Sequence, residues 1–313
     1  MDSNKLQSVA FLFAGQGNPT IGMGSDLWGL NGATKRIWDC ASDVSGIDIR
    51  RLCLKGPMNK LVQTTNQQVA VTAINATLYT LCRDKLEDAL VVGSCGHSVG
   101  EYSALYAADA ITLEDLFRMI HFRSQLMDEL SKVNKGTMLA VKSVDYSTLS
   151  DLIANSGLEL DISCDNSHRQ QVIGGTPTAL RDFTQVLIDL GYDTTKLGVS
   201  GAWHTRLMAE GVQRMQDFLS GIEIRQPQHD VLMNVTATPE TDPELIKRNL
   251  SLHLTHTVKW TESMERFLGN ASPLLFIEVS SKPYLAHILN DFNRFSPDRS
   301  LHCRKIETCS GVS

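Results

Sequence analysis

Between residues 136 and 200 the hydrophobic pattern switches repeatedly between two periods, and this alternation restricts the fold more than any other feature of the chain. "GTMLAVKS" reads as a strand and "YSTLSDLIANS" as a helix. "LELDISCDNS" and "QQVIGGTP" follow as strands, then "ALRDFTQVLIDLG" as a helix and "YDTTKLGVS" as a strand. The order βαββαβ is the signature of a small ferredoxin-like unit. Such a unit accounts for only a fraction of the 313 residues, so a second, larger structure must enclose it.

The flanking segments supply that structure. "SVAFLFAGQGNPTIGMG" starts as a buried strand, Val9 to Phe13, and breaks into a Gly-rich loop. Helical periodicity dominates from about 25 to 88, and "DALVVGSC" is a second short strand that stops at Gly96. Beyond residue 200, helices are expected near 206–220, 242–253, 260–269 and 283–291, with strands at "HDVLMNVTA" and "LLFIEVS". The simplest architecture is an α/β core with a mostly parallel sheet, built from residues 1–135 and 201–303 and interrupted by a small subdomain at 136–200. Residues 304–313 carry no pattern and are expected to form a mobile tail.

Bulk properties narrow the classes of function. A formal net charge of −6 with no basic block argues against nucleic acid as the main partner. The seven cysteines are scattered and none is spaced C-x-x-C, so neither a zinc site nor a redox motif is expected. The run "VAFLFAG" is too short for a signal-peptide core, and nothing approaches the roughly 20 apolar residues of a membrane span. A cytoplasmic protein with reduced thiols, no membrane partner and no metal is the expectation.

Ser98 stands in "GHSVG", between a strand that stops at Gly96 and the helical "VGEYSALYAADA". Glycine and serine are common enough that a G-x-S-x-G match arises by chance in about a tenth of such chains. The placement between strand and helix is what the motif needs to expose a nucleophilic Oγ above a Val99 N–H. A structural turn remains open at this point. A nucleophile also needs a base. Of the nine histidines, His97 adjoins the serine on a turn whose neighbours point apart, and His168, His229 and His302 fall in polar stretches expected to be exposed. His204, in "SGAWHTRLM", lies at a strand-to-helix transition, where a helix N-terminus would disfavour the imidazolium. A capping histidine is the alternative.

Arg123 is the stronger anomaly. The helix over about 113–131 has Leu113, Leu116, Phe117, Ile120, Met127 and Leu130 on one face, and Arg123 shares it. A guanidinium there is costly unless an anion meets it. That anion is either an internal Asp or Glu, or a carboxylate that arrives with a substrate, for which arginine's planar fork is suited.

With these residues in view, the chain resembles the malonyl-CoA:acyl carrier protein transacylase family over about residues 8 to 292. "FAGQGNPTIGMG", "GHSVGEYSAL", "MIHFRSQLM", "DNSHRQQVIGG", "VSGAWHTRLM", "VLMNVTA" and "FIEVSSKPYL" follow one another in the family's order. The resemblance implies an α/β-hydrolase-like core carrying the ferredoxin-like subdomain. It implies transfer of a malonyl group from malonyl-CoA to the phosphopantetheine thiol of an acyl carrier protein, in fatty-acid or polyketide synthesis, by a monomer with no permanently bound cofactor. Carried over residue by residue, Ser98 is the nucleophile, His204 the base, and the backbone N–H groups of Gln16 and Val99 the oxyanion hole. Arg123 holds the malonyl carboxylate. Gln68, His97, Asn166 and Trp203 line the substrate pocket, and the main-chain carbonyl of His253 orients His204. Lys196, Arg206 and Lys282 are candidate contacts for an acidic carrier.

Four departures stand out. His253 replaces the family's usual glutamine, "GQGNP" its "GQGSQ", Ser280-Ser281 a Gly-Pro turn, and Val99 a common leucine. The bulk of Trp203 is expected to crowd an α-branched extender unit. An acyl hydrolase on the same fold, transfer of another extender unit between carrier proteins, and a non-catalytic docking module are the competing readings. Arg123 weighs against a hydrolase of neutral acyl chains, and the joint presence of Ser98, His204, Arg123 and Gln16 weighs against the docking module.

Overall fold

The structure is a computed structural model describing residues 8–17, 19–83, 85–86, 89–269, 274–293 and 302–306. Strand β1, Ser8–Phe13, is buried at every position from Val9 onward. Burial on both faces explains its unbroken apolar sequence. Four helices follow: α1 (Gly32–Ser45), α2 (Ile49–Lys55), α3 (Met58–Leu61) and α4 (Thr64–Arg83). Helix α1 starts at a reciprocal capping box between Asn31 and Thr34 and ends on Gly46 in the left-handed region. Strand β2 (Leu90–Gly96) leads through a tight turn into α5 (Gly100–Ala107), and α6 (Leu113–Val133) begins at Thr112, whose side chain accepts the Asp115 N–H.

The small unit comes next, as β3 (Thr137–Lys142), α7 (Tyr146–Ser156), β4 (Leu160–Ser167), β5 (Gln170–Gly175), α8 (Pro177–Asp189) and β6 (Thr194–Lys196). The chain then forms α9 (Gly211–Ser220), β7 (Asp230–Leu232), α10 (Pro243–Leu252), β8 (Val258–Lys259), α11 (Trp260–Leu268), β9 (Leu274–Val279), α12 (Leu285–Asn293) and β10 (His302–Ile306).

Two five-stranded sheets result. The first, in the order β10-β9-β1-β2-β7, is parallel throughout. The second runs β6-β3-β5-β4-β8; its first four strands pair antiparallel in the order a ferredoxin-like unit requires. In β3, Leu139 and Val141 face the small core with Phe183 and Leu187, whereas Met138 and Ala140 face the large one. That split follows from the two-residue period of a strand. A register shift between Ile162 and Cys164 sends Ile162 to the small core and Cys164 to the large one.

Four details differ from the sequence reading. Strand β6 covers only Thr194–Lys196 of "YDTTKLGVS". The helix expected at 206–220 is divided into a single 3₁₀ turn, Arg206–Met208, and α9. Val258 and Lys259 add a fifth strand to the small sheet, parallel to β4, so residues outside 136–200 belong to it. Residues 304–306, expected within the tail, finish strand β10 at the edge of the parallel sheet; the remaining tail residues lie outside the described ones. No helix among the described residues is long and apolar enough to cross a membrane.

Candidate active site

At the carboxyl end of β2 the chain reverses through His97 and Ser98. The His97 N–H donates to the Phe13 carbonyl at 2.9 Å, and its own carbonyl accepts the Gly100 N–H at 3.0 Å. Ser98 has φ of 53°, in the left-handed region that costs a residue with a Cβ. A Cβ on Gly96 would strike the Gly100 backbone, and one on Gly100 would strike the Phe13 carbonyl, so both glycines are sterically required. The Asn234 side chain locks the turn: Oδ1 accepts the Ser98 N–H at 2.9 Å and Nδ2 donates to the Gly96 carbonyl at 2.7 Å.

Ser98 Oγ lies 2.8 Å from His204 Nε2, across 106 positions of sequence. His204 Nδ1 lies 2.6 Å from the His253 carbonyl. A carbonyl can only accept, so Nδ1 carries the proton and Nε2 is free to take one from Oγ. His204 also has a positive φ, 59°. Its environment differs from the one inferred from sequence, because only the short 3₁₀ turn follows it. Burial is the main cause that keeps the ring neutral, pushing its pKa well below the usual histidine value; His253 and the Arg123 cation act in the same direction.

Arg123 is 1% exposed. Nη1 donates to Gln68 Oε1 at 2.7 Å, Nη2 donates to Ser98 Oγ at 3.2 Å, and the guanidinium lies 5.6 Å from the centre of the Tyr102 ring. Among the described residues no Asp or Glu forms an ion pair with it; Glu101 acts on it only through space. Of the two anions the sequence left open, the internal one is therefore not found there. Burial lowers the Arg123 pKa, yet a guanidinium stays charged. A buried cation thus waits beside a serine oxygen, behind the wall of an open cavity.

That cavity, about 400 Å³, is lined by Gln16, Gln68, His97, Ser98, Asn166, Trp203 and His204 among others. Helix α4 holds the Gly-rich loop beneath it: Asn75 Nδ2 donates to the Ala14 carbonyl at 2.9 Å, and Gln67 Nε2 donates to the Gly17 carbonyl. Gln68 Nε2 turns toward Gln16 Oε1 at 3.4 Å while its Oε1 takes Arg123. Val99, buried, is the N-cap of α5 immediately after the serine. His97 points away from Ser98, as its place on the turn suggested, and its Nε2 lies 2.8 Å from Asn166 Oδ1. The small sheet supplies the opposite wall through Met138, Cys164, Asn166 and Val172.

Three residues with a part in the geometry were not singled out from sequence. Asn234 sits in an apolar strand end, Glu101 in a helix that is otherwise apolar, and Tyr284, whose hydroxyl accepts from Asn166 Nδ2 at 3.4 Å, follows Pro283. A polar side chain in an apolar run was the available signal for the first two. Arg206, Lys196 and Lys282 are all exposed, and Arg206 meets Asp161 through Nε and Nη2. Lys282 stands at the cavity. Among the described residues no group of three or more His, Cys, Asp or Glu side chains is placed to hold a metal ion, and Cys40, Cys53, Cys82, Cys95 and Cys164 are free thiols.

A serine with a neutral histidine at its oxygen and a strained strand-to-helix turn defines an acyl-transfer or hydrolytic site. The chain belongs to the acyl transferase domain family, which it matches over residues 10–300. It is 31% identical to the malonyl CoA-acyl carrier protein transacylase of Bacillus subtilis, over 91% of this chain and 71% of that one. It is also 31% identical to the polyketide biosynthesis malonyl CoA-acyl carrier protein transacylase PksC of Bacillus subtilis strain 168, over 90% of this chain and 96% of that protein. Its structure superposes, with a TM-score of 0.90 and 26% identity, on a malonyl-transacylase solved in complex with the acyl-carrier protein of a type II PKS, covering 98% of both chains.

Proposed function

We propose that the chain transfers a malonyl group from malonyl-CoA to the phosphopantetheine thiol of an acyl carrier protein, through a malonyl-Ser98 ester. The observation that carries this reading is the placement of Ser98 Oγ between a neutral His204 Nε2 at 2.8 Å and the buried Arg123 Nη2 at 3.2 Å. In this reading His204 takes the Ser98 proton as Oγ attacks the thioester carbonyl, and gives it to the departing CoA thiolate. The carrier thiol then attacks the ester, with His204 again taking a proton and returning it to Ser98. The N–H groups of Gln16 and Val99 receive the oxyanion; loss of one such donor typically costs about 2.7–4 kcal/mol.

Arg123 binds the free carboxylate of malonyl, and Gln68 holds the guanidinium in place through Oε1. The carboxylate completes a buried ion pair at the moment of binding, which selects a dicarboxylic thioester over a neutral one. The parallel sheet and its helices form the catalytic unit, and the small sheet, with Val258 and Lys259 added to it, closes the cavity. The reading calls for no resident cofactor and places the chain in the cytoplasm as a monomer. Lys196 and Lys282, both exposed, are the cations offered to an acidic carrier.

Mass spectrometry of the chain after mixing with malonyl-CoA, followed by a chase with carrier protein, tests the proposal. The expected result is a malonyl adduct on the peptide containing Ser98, absent in Ser98→Ala, that disappears as the carrier gains the group. Adduct lost to water at the same rate with and without carrier would mark a hydrolase and overturn the transfer reading.

A further inference from the structure

Two fully buried glutamates are held in different ways. Glu278 receives the N–H groups of Tyr284 and Leu285 on Oε1 and of Ala286 on Oε2, together with the Ser280 hydroxyl. That is the full set of donors a structural carboxylate needs. Glu101, three residues after Ser98 in α5, receives one backbone N–H, from Asn234 to Oε1 at 2.6 Å. Its Oε2 lies 2.7 Å from His253 Nδ1, with both side chains 1% exposed. Each of these two partners continues to the reacting pair. Asn234 Oδ1 holds the Ser98 N–H at 2.9 Å. The His253 carbonyl holds His204 Nδ1 at 2.6 Å, and the two imidazole rings stack with centres 4.5 Å apart and planes inclined by 28°.

We propose that Glu101 and His253 are a positioning pair: through Asn234 and the close approach to His253 one carboxyl fixes both the turn bearing Ser98 and the ring that serves it, and the ionisation of Glu101 beside His253 couples that link to pH. This rests on the roles assigned to Ser98 and His204 above. A glutamine at position 253 would keep the main-chain carbonyl and could donate an amide N–H to the carboxylate, so the pH at which Glu101 ionises follows from the histidine in this chain.

The surroundings favour a neutral pair. Burial pushes Glu101 up to about 8, against the Asn234 N–H and the Arg123 cation. Burial likewise holds His253 well below its ordinary value, with Arg123, His97 and His256 acting the same way. Tyr102 on α5, Cys95 on β2 and the stacked His204 complete the titratable groups near the pair. Below about pH 8 Glu101 keeps its proton and the pair carries no net charge. Above it the pair is anionic, one stacked ring away from His204, and an anion there favours the imidazolium that forms during acylation.

The test is single-turnover acylation of Ser98 by malonyl-CoA from pH 6 to pH 9, in the wild type, Glu101→Gln, Glu101→Ala and His253→Gln, with thermal midpoints recorded. The wild-type rate is expected to rise severalfold as the pair ionises. Glu101→Gln, which keeps an acceptor for Asn234 and mimics the protonated carboxyl, should stay within about twofold of the wild-type rate at neutral pH, lose that rise, and leave the KM for malonyl-CoA within about twofold. Glu101→Ala should lose about tenfold or more, and His253→Gln should move the step to lower pH, since an amide N–H stabilises the carboxylate. A Glu101→Gln profile parallel to that of the wild type overturns the coupling even where the site reading stands. A wild-type chain that acquires no adduct on Ser98 overturns the site reading first and this inference with it.

Discussion

The parallel and the mostly antiparallel sheet have five strands each, yet they offer a substrate different things. Parallel strands all end at one edge, so the turns after β1, β2 and β7 gather Gln16, Ser98 and Asn234 at one place. The strained turn at Ser98 lies there. In the antiparallel sheet the strand ends alternate, and it presents a face of side chains instead: Met138, Cys164 and Val172 toward the cavity, Leu139, Val141 and Ile173 toward its own core. One unit brings Ser98, His204 and Arg123 together and the other supplies a wall. The separation of the two cores makes the division testable.

Phe183 is fully buried in the small core. Phe183→Ala should cost about 3–5 kcal/mol of stability through lost burial and the cavity left behind. Acylation of Ser98 per folded molecule should stay within about twofold of wild type. Chemical denaturation read beside adduct formation checks both halves. A large fall in acylation of fully folded protein would mean that the wall governs the reacting groups.

Arg123→Ala attacks the other unit. Removing one partner of a buried hydrogen-bonded charge pair typically costs 2–5 kcal/mol, so malonyl acylation should fall by roughly a hundredfold to a thousandfold. Uncharged acyl-CoA should gain in relative terms, because it no longer leaves a guanidinium unpaired. Rates with malonyl-CoA and acetyl-CoA measured in parallel decide; equal losses on both would show that Arg123 serves Ser98 through the 3.2 Å contact and not the substrate's carboxylate.

Trp203 is where the two units meet, packed against Gly201 and lining the cavity. Its bulk should exclude an α-methyl group, and a methyl-sized difference in an apolar pocket is worth about 1–3 kcal/mol. Trp203→Ala should therefore raise the rate ratio of methylmalonyl-CoA to malonyl-CoA about tenfold. A wild-type chain that already accepts both equally would remove Trp203 as the discriminator.

The same division explains what was legible in the sequence. The order of the small unit could be read because each strand shows one face to a core, and alternation marks that directly. Ser98 and Arg123 stood out as local conflicts, a serine on a glycine-flanked turn and a cation on an apolar stripe. Their convergence with His204 did not follow from local pattern, because the contact spans 106 positions and depends on the path of the whole chain; the collinear family motifs carried it. The two-residue strand Val258–Lys259 is too short to leave a periodic trace. The cause of His204 neutrality was read as a helix terminus where burial and its neighbours act, since burial of a loop residue has no signature in sequence.

The smallest effect concerns stability rather than rate, and it arises at the parallel sheet away from the cavity. His229, expected to be exposed, is partly buried before β7, its Nε2 3.0 Å from Ser94 Oγ. Burial is the main cause that holds its pKa at about 4, against an ordinary value of 6.5. The folded chain therefore keeps this ring neutral while the unfolded chain protonates it. Stability from this group is complete above about pH 6.5 and is lost progressively as pH falls toward 4. Between pH 7 and pH 6 the loss should be about 0.7 kcal/mol, from the free energy of protonating the unfolded ring alone. His97, His204 and His253 are shifted in the same direction and contribute to the same slope. The quantity to measure is accordingly the difference between wild type and His229→Gln in denaturant midpoint at the two pH values. A shallower acid dependence in the variant is expected. Identical slopes would mean that the sheet opens around His229 before the ring is protonated, placing the weak point of the molecule in the unit that carries Ser98.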